Sequence, residues 1–144
     1  MIDTKVWGKH GWIFLHLVSL AYPENPTLEN KKTYKNFYLN VGQILPCYKC
    51  RVNYSKHLEK YPLTDKVVES RENLVNWLIN IHNCVNEIKN EKIYNYNEAK
   101  KCLDEMIESN NCPKQKPCYN YNLLLSVLLA FCIIIIILLL RRKK

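Results

Sequence analysis

Residues 123–140 form an apolar run in which only Ser126, Ala130 and Cys132 stand among large apolar side chains, and Arg141, Arg142, Lys143 and Lys144 follow it. At 1.5 Å per residue such a helix spans about 27 Å, the depth of a bilayer's hydrocarbon core. The rest of the chain is too short to bury all sides of that helix. The expectation is therefore a C-terminal transmembrane anchor, residues 123–140, with a basic tail, residues 141–144. What precedes it suffices for one small domain. Four of the twenty-one basic residues belong to the tail, which leaves seventeen against thirteen acidic ones, a net charge of +4 for residues 1–140. Those lysines are scattered rather than striped, which argues against nucleic-acid binding.

Seven cysteines in 144 residues is a high and odd number. Residues 1–5 lack the basic-then-apolar pattern of a secretory signal, so ordinary secretion does not explain the cysteines. Redox chemistry or metal binding gains weight instead. The tightest pair is Pro46-Cys47-Tyr48-Lys49-Cys50. Two thiols three residues apart can close a disulfide. Pro46 stands where helices begin, and a helix N-terminus favours the thiolate over the thiol. Lys49 and Arg51 add positive charge.

Helical periodicity surrounds this pair. Asp3 or Thr4 can cap a first helix running to about Ala21, with Pro23 beyond it. Trp12 and His16, four apart, share a face of that helix. Taken alone they read as core. Thr27 caps a second helix towards Leu45, with Tyr34, Phe37, Tyr38, Val41, Ile44 and Leu45 on its buried side. Pro46 breaks it, and a third helix ends before Pro62 with Tyr54 and Leu58 inward. Ser70 begins a fourth, whose apolar seam is Leu74, Trp77, Leu78, Ile81, Val85 and Ile88. His82, Asn83 and Asn86 lie beside that seam. Buried polar groups are costly without partners, so they are either surface residues or the wall of a site for a polar ligand between helices. A short fifth helix follows Asn97. No strand alternation is convincing, so the fold class is all-α: a four-helix bundle with a short fifth helix, followed by the C-terminal transmembrane helix. The boundaries are 1–101 for the domain, 102–122 for a cysteine-containing linker, 123–140 for the anchor and 141–144 for the tail.

An all-helical setting argues against a thioredoxin-like Cys-x-x-Cys. Zinc stays open: Cys47 and Cys50 could be joined by His82 or Cys84, or by Cys112 and Cys118, though the second pair lacks the usual tight spacing. That reading gives a zinc-stabilised, non-catalytic, membrane-anchored adaptor. A bare thiol–disulfide carrier is a third possibility.

Four motifs occur in order: Trp12-x-x-Leu15-His16; Tyr22-Pro23-x-x-Pro26-Thr27; Pro46-Cys47-x-x-Cys50; and Trp77-Leu78-x-x-x-His82-Asn83-x-Val85-Asn86. Over roughly residues 5–100 the chain resembles the Erv/ALR family of FAD-linked sulfhydryl oxidases, and its viral members most. The resemblance implies a bundle holding FAD in its mouth, with no bound metal. Trp12, His16, Tyr22, His82, Asn83 and Asn86 would contact the cofactor. Lys89 and Lys92 are the available phosphate contacts, because Glu87, Ile88 and Glu91 stand where relatives carry basic residues. Tyr96 would cover the adenine. Cys47 would receive substrate electrons and Cys50 would lie next to the flavin, with O2 giving hydrogen peroxide. Partners would be a thiol-containing protein substrate or a downstream thioredoxin-like carrier, and a second copy in a homodimer.

The chain departs from the family in lacking partner cysteines near Leu58 or Ile79 for a further structural disulfide. Cys84 reads as a small buried residue. Cys102 stands alone in the fifth helix. Cys112 and Cys118 are either a shuttle pair on a flexible arm or a structural closure. Cys132, inside the membrane run, is expected to be inert. Without a signal sequence the anchor would insert after synthesis, leaving the domain in the cytosol on a host or virion membrane, although the positive-inside tendency of the tail points the other way.

Overall fold

The computed structural model describes residues 2–108 and is all-helical there. Its elements are α1 (Thr4–Leu20), α2 (Leu28–Ile44), α3 (Tyr48–Lys60), a single 3-10 turn (Val67–Glu69), α4 (Arg71–Lys89) and α5 (Tyr96–Glu108). The expected transmembrane helix, and the readings of Cys112, Cys118 and Cys132, fall outside the described residues. Among the described residues no helix is long and apolar enough to cross a membrane.

The ends are where short polar side chains put them. The Asp3 carboxylate accepts from the Lys5 N–H at 2.9 Å. Thr27 and Asn30 form a reciprocal capping box at the head of α2. Ser70 caps α4 by accepting from the Asn73 N–H at 3.2 Å. Asn90 ends α4 in the left-handed region at φ 54°, which Asn tolerates better than most residues. As expected, Pro46 precedes α3 and Cys47, its N-cap, opens it. Tyr54 and His57 are buried on α3, and Leu58 packs half-buried against the core. One detail differs from expectation: α5 starts at Tyr96, held by an Asn95–Glu98 capping box. It continues to Glu108, past the 101/102 boundary.

α1 packs against α4, α2 against α3, and α3 against α4. Leu74, Leu78 and Ile81 of α4 are fully buried together with Tyr22 and Tyr38. Buried tyrosines need a partner for their hydroxyl, and here each finds a carbonyl on a neighbouring element. Tyr54 of α3 donates to the Tyr38 carbonyl at 2.8 Å, and Tyr38 of α2 donates to the Leu15 carbonyl at 2.9 Å. Burial pushes both phenols well above their ordinary range, so they stay protonated donors. Tyr22 donates to the Val68 carbonyl at 2.6 Å, and Trp77 donates to the Tyr61 carbonyl at 2.9 Å.

The α2–α3 contact depends on one glycine. A Cβ on Gly42 would meet the Tyr54 ring carbon Cδ1 at 2.6 Å. That ring is buried and its hydroxyl is already bonded, so it cannot swing away. Gly42→Ala should therefore lower stability by about 1–3 kcal/mol, because overpacking outweighs the gain of up to about 1 kcal/mol in helix propensity. Thermal unfolding of the variant checks this; an unchanged or raised melting temperature would show that Tyr54 moves freely.

Candidate redox site and cofactor cleft

Cys47 and Cys50 are joined as a disulfide with their Cα atoms 5.1 Å apart. Cys47 caps α3 with sulfur in place of the usual oxygen: its Sγ accepts from the Cys50 N–H at 3.2 Å. The turn before it is held by Arg51, whose guanidinium donates to the Leu45 carbonyl. Cys50 lies half-buried one turn into the helix, whereas Cys47 is only 7% exposed. Both sulfur-bearing residues line a cleft of about 1280 Å³ walled by residues of all five helices.

Aromatic side chains furnish the opposite wall. The Trp12 ring stacks on His82 with centroids 3.9 Å apart and planes within 9°. His82 Nδ1 and His16 Nε2 share a hydrogen bond of 3.0 Å, one ring donating and the other accepting according to tautomer. Burial lowers His16 to about 4. Burial, then the neighbouring His16 and Lys89, lowers His82 to about 3. Both rings are therefore neutral at neutral pH, and the pair forms a flat, uncharged surface. Three buried polar atoms around the cleft have no hydrogen-bond partner: Trp7 Nε1, His16 Nδ1 and His57 Nε2.

Asn83 and Asn86 also line the cleft, but their polar groups have an intramolecular use. Asn83 both donates to the Tyr94 carbonyl at 2.7 Å and accepts from the Tyr94 N–H at 3.1 Å. Asn86 donates to the Lys92 carbonyl at 3.1 Å. They pin the segment between α4 and α5, so these backbone bonds account for polar groups that the sequence left for a ligand to satisfy.

Tyr22, Lys92 and Tyr96, expected at the cofactor, are not among the residues that line the cleft. Tyr22 is fully buried, with its hydroxyl committed to Val68. Lys92 pairs with Glu98 at 3.1 Å and lies over the Tyr94 ring. The aromatic residue of this segment that does reach the cleft is Tyr94, two positions before Tyr96. Lys89 lines the cleft, yet it is paired with Glu91.

Lys5, Lys9 and His57 line the cleft without having been singled out from the sequence. Lys9 and Lys5 precede Trp12 by three and seven residues, and His57 follows Cys50 by seven. Helical spacing could have found all three. Tyr94 lies in an irregular segment with no period to read.

Among the described residues no three His, Cys, Asp or Glu side chains converge on a metal-sized position, so the zinc-adaptor reading gains no support. Cys84 is a buried free thiol, raised first by burial and opposed by nearby Lys60. It lines a separate cleft of about 540 Å³. Cys102 is exposed and free beside the larger cleft.

A disulfide that closes on a helix N-terminus and opens onto a flat-walled cleft belongs to an all-helical thiol–disulfide redox protein. The lack of any strand among the described residues separates it from thioredoxin-like folds. Comparison with known proteins narrows the class further. The model of the Erv1 / Alr family matches residues 9–106, and the chain belongs to that family. It is 49% identical over 120 residues to a probable FAD-linked sulfhydryl oxidase of Acanthamoeba polyphaga mimivirus, covering 83% of this chain and 81% of that protein. It is 32% identical to an FAD-linked sulfhydryl oxidase of African swine fever virus, over 70% of this chain and 82% of the relative. It spans only 58% of the mitochondrial enzyme of Schizosaccharomyces pombe, at 29% identity. Among solved structures, the FAD-binding domain of Erv1 from Saccharomyces cerevisiae superposes with a TM-score of 0.66 at 30% identity, over 73% of this chain and 97% of that one.

The histidine pair makes stability acid-sensitive. A histidine whose native pKa is depressed contributes fully above its unfolded value near 6.5. That contribution is lost as the pH falls towards about 4 for His16 and about 3 for His82. Unfolding free energy of the full chain should drop by on the order of 5 kcal/mol between pH 6.5 and 4. His82→Phe, which keeps a ring against Trp12, should flatten that limb. Denaturant titrations at several pH values measure it, and identical slopes in the two proteins would refute the assignment.

Proposed function

We infer that the protein is an FAD-linked sulfhydryl oxidase that forms disulfide bonds in thiol substrates, with dioxygen as the final acceptor. The observation that carries this reading is the Cys47–Cys50 disulfide on the wall of a large apolar cleft whose other wall is the Trp12–His82 stack. The names of the viral and yeast relatives point the same way.

The residues present fit FAD. The cleft volume of about 1280 Å³ exceeds the roughly 300–1,000 Å³ of ordinary small-molecule sites, as a dinucleotide requires. Trp12 and His82 offer a flat face for a planar ring. The unpartnered atoms Trp7 Nε1, His16 Nδ1 and His57 Nε2 offer polar contacts. Lys5 and Lys9 offer positive charge for phosphates, while Asn83 and Asn86 hold the Tyr94 segment as a wall. When bound, FAD accepts two electrons from a thiol pair and passes them to dioxygen, giving hydrogen peroxide.

The chain's own part is thiol–disulfide exchange. A substrate thiolate attacks Cys47 Sγ, and the Cys47–Cys50 bond breaks with Cys50 leaving as a thiolate beside the cleft. The second substrate thiolate then attacks the substrate sulfur of the mixed disulfide, and Cys47 leaves. The substrate dithiol has lost two electrons and two protons; the protein disulfide has become two thiols. The Cys50 N–H and the α3 N-terminus stabilise the departing Cys47 thiolate, which speeds the resolving step. Cys50→Ser should reduce thiol-driven oxygen uptake to background while the purified chain stays yellow with bound flavin. Undiminished uptake in that variant would remove Cys50 from the mechanism.

We also propose that residues 123–140 tether the enzyme to a membrane of the host or virion, with the domain facing the cytosol and residues 102–122 linking the two. The length and apolarity of that run support this. A homodimer through the outer face of α1 is supported by its exposed Val6, Phe14 and Leu17. Alkaline carbonate should leave the full chain in the membrane pellet, and protease on intact vesicles should digest the domain. Light scattering in detergent should give twice the 17.1 kDa chain mass. A chain released by carbonate, a protected domain or a monomer mass would reject the corresponding element.

A further inference from the structure

All thirteen acidic residues lie outside the stretch from Asn30 to Leu58, which carries six cations: Lys31, Lys32, Lys35, Lys49, Arg51 and Lys56. In the fold that stretch is the α2–α3 hairpin, with the Cys47–Cys50 disulfide at its tip; Lys49 and Arg51 stand at that tip and Lys56 further along α3, while Lys31, Lys32 and Lys35 lie towards the other end of α2. The charge is mostly uncompensated. Lys35 pairs with Asp65 at 2.6 Å, but among the described residues none of the other five is in an ion pair.

The same tip exposes apolar side chains. Ile44 is 76% exposed, Tyr48 64% and Val52 38%. Tyr48, Val52 and Lys56 follow one another at four-residue spacing, so they form one outward stripe on α3. The Arg51 guanidinium lies 5.7 Å from the Tyr48 ring centre while bonded to the Leu45 carbonyl, which fixes a cation against that stripe. Exposed apolar side chains ringed by unpaired charge of one sign mark a contact surface for a partner of the opposite sign.

We propose that the tip of the α2–α3 hairpin is the docking surface for the thiol substrate. It selects cysteine-bearing protein segments with acidic and apolar neighbours over basic ones. The inference rests on the oxidase reading and adds the substrate class. Acidic neighbours hold a free cysteine in its thiol form, and the cationic surface offsets them on docking, so the attacking thiolate forms at the disulfide. Cys47 is nearly buried, which makes such seating necessary for an incoming sulfur to reach it.

The test uses the full chain, loaded with FAD in neutral detergent, and two matched peptides. Each carries two cysteines around a Phe, one flanked by Glu and the other by Lys. The kcat/KM for oxygen uptake should favour the acidic peptide by about tenfold at low ionic strength, and the ratio should approach one at high salt. The double variant Lys49→Glu/Lys56→Glu should shrink the ratio, with dithiothreitol oxidation by the same variant as reference. Lys56→Gln alone should shrink it in the same direction. Serine-for-cysteine versions of both peptides, followed by fluorescence anisotropy, report docking without chemistry, and the acidic one should bind about tenfold tighter. Equal kcat/KM or equal binding would overturn the docking surface while leaving the oxidase intact. No uptake with dithiothreitol would overturn the oxidase, while anisotropy still decides the surface.

Discussion

Two hydrogen bonds hold the redox end of this molecule together: Tyr54 to the Tyr38 carbonyl and Tyr38 to the Leu15 carbonyl. The first ties α3, four residues beyond Cys50, to the middle of α2. The second ties α2 to α1 at the residue beside His16. The disulfide stands on α3 while His16 stands on α1, and this relay sets them around one cleft. Both bonds are fully desolvated, so loss of either phenol would leave a buried carbonyl unpaired, at about 1–3 kcal/mol. Gly42 belongs to the same device, because the Tyr54 ring occupies the volume its side chain would fill.

The cleft itself is built for a neutral, flat occupant. His16 and His82 could have been a doubly cationic pair, but burial drives both rings to the uncharged form. Stacked under Trp12, the His82 ring becomes an aromatic surface rather than a charge. Positive charge is kept to the cleft's lysines, Lys5, Lys9, Lys49 and Lys89, the last of which is held by Glu91. Neutral stacking surface in one region and cations in another is the division that a flavin ring joined to a pyrophosphate demands.

The two faces of α3 carry different duties. Its inner face presents Cys50, Tyr54 and His57 to core and cleft, where burial and hydrogen bonding are strict. Its outer face presents Tyr48, Val52 and Lys56 to solvent. The disulfide sits at the helix head: the Cys47 sulfur caps the helix, and both cysteines line the cleft.

The helices, their caps and the position of the redox pair were legible in the sequence. Asp3, Thr27 and Ser70 act through bonds two or three residues away, and the apolar stripe of α4 repeats with the helical turn. Local chemistry of this kind needs no knowledge of the fold. Cys47 and Cys50 belong there too, since three residues of separation already bring their sulfurs within bonding reach. The use made of Tyr22, Asn83, Asn86, Lys92, Tyr94 and Tyr96 was decided by tertiary structure alone. A tyrosine that reads as a cofactor contact and one that bonds a core carbonyl have the same local signature. The irregular segment between α4 and α5 has no period from which to tell Tyr94 from Tyr96. Which carbonyl lies opposite a given hydroxyl is a property of helices packed together, and sequence spacing within one helix carries no record of it.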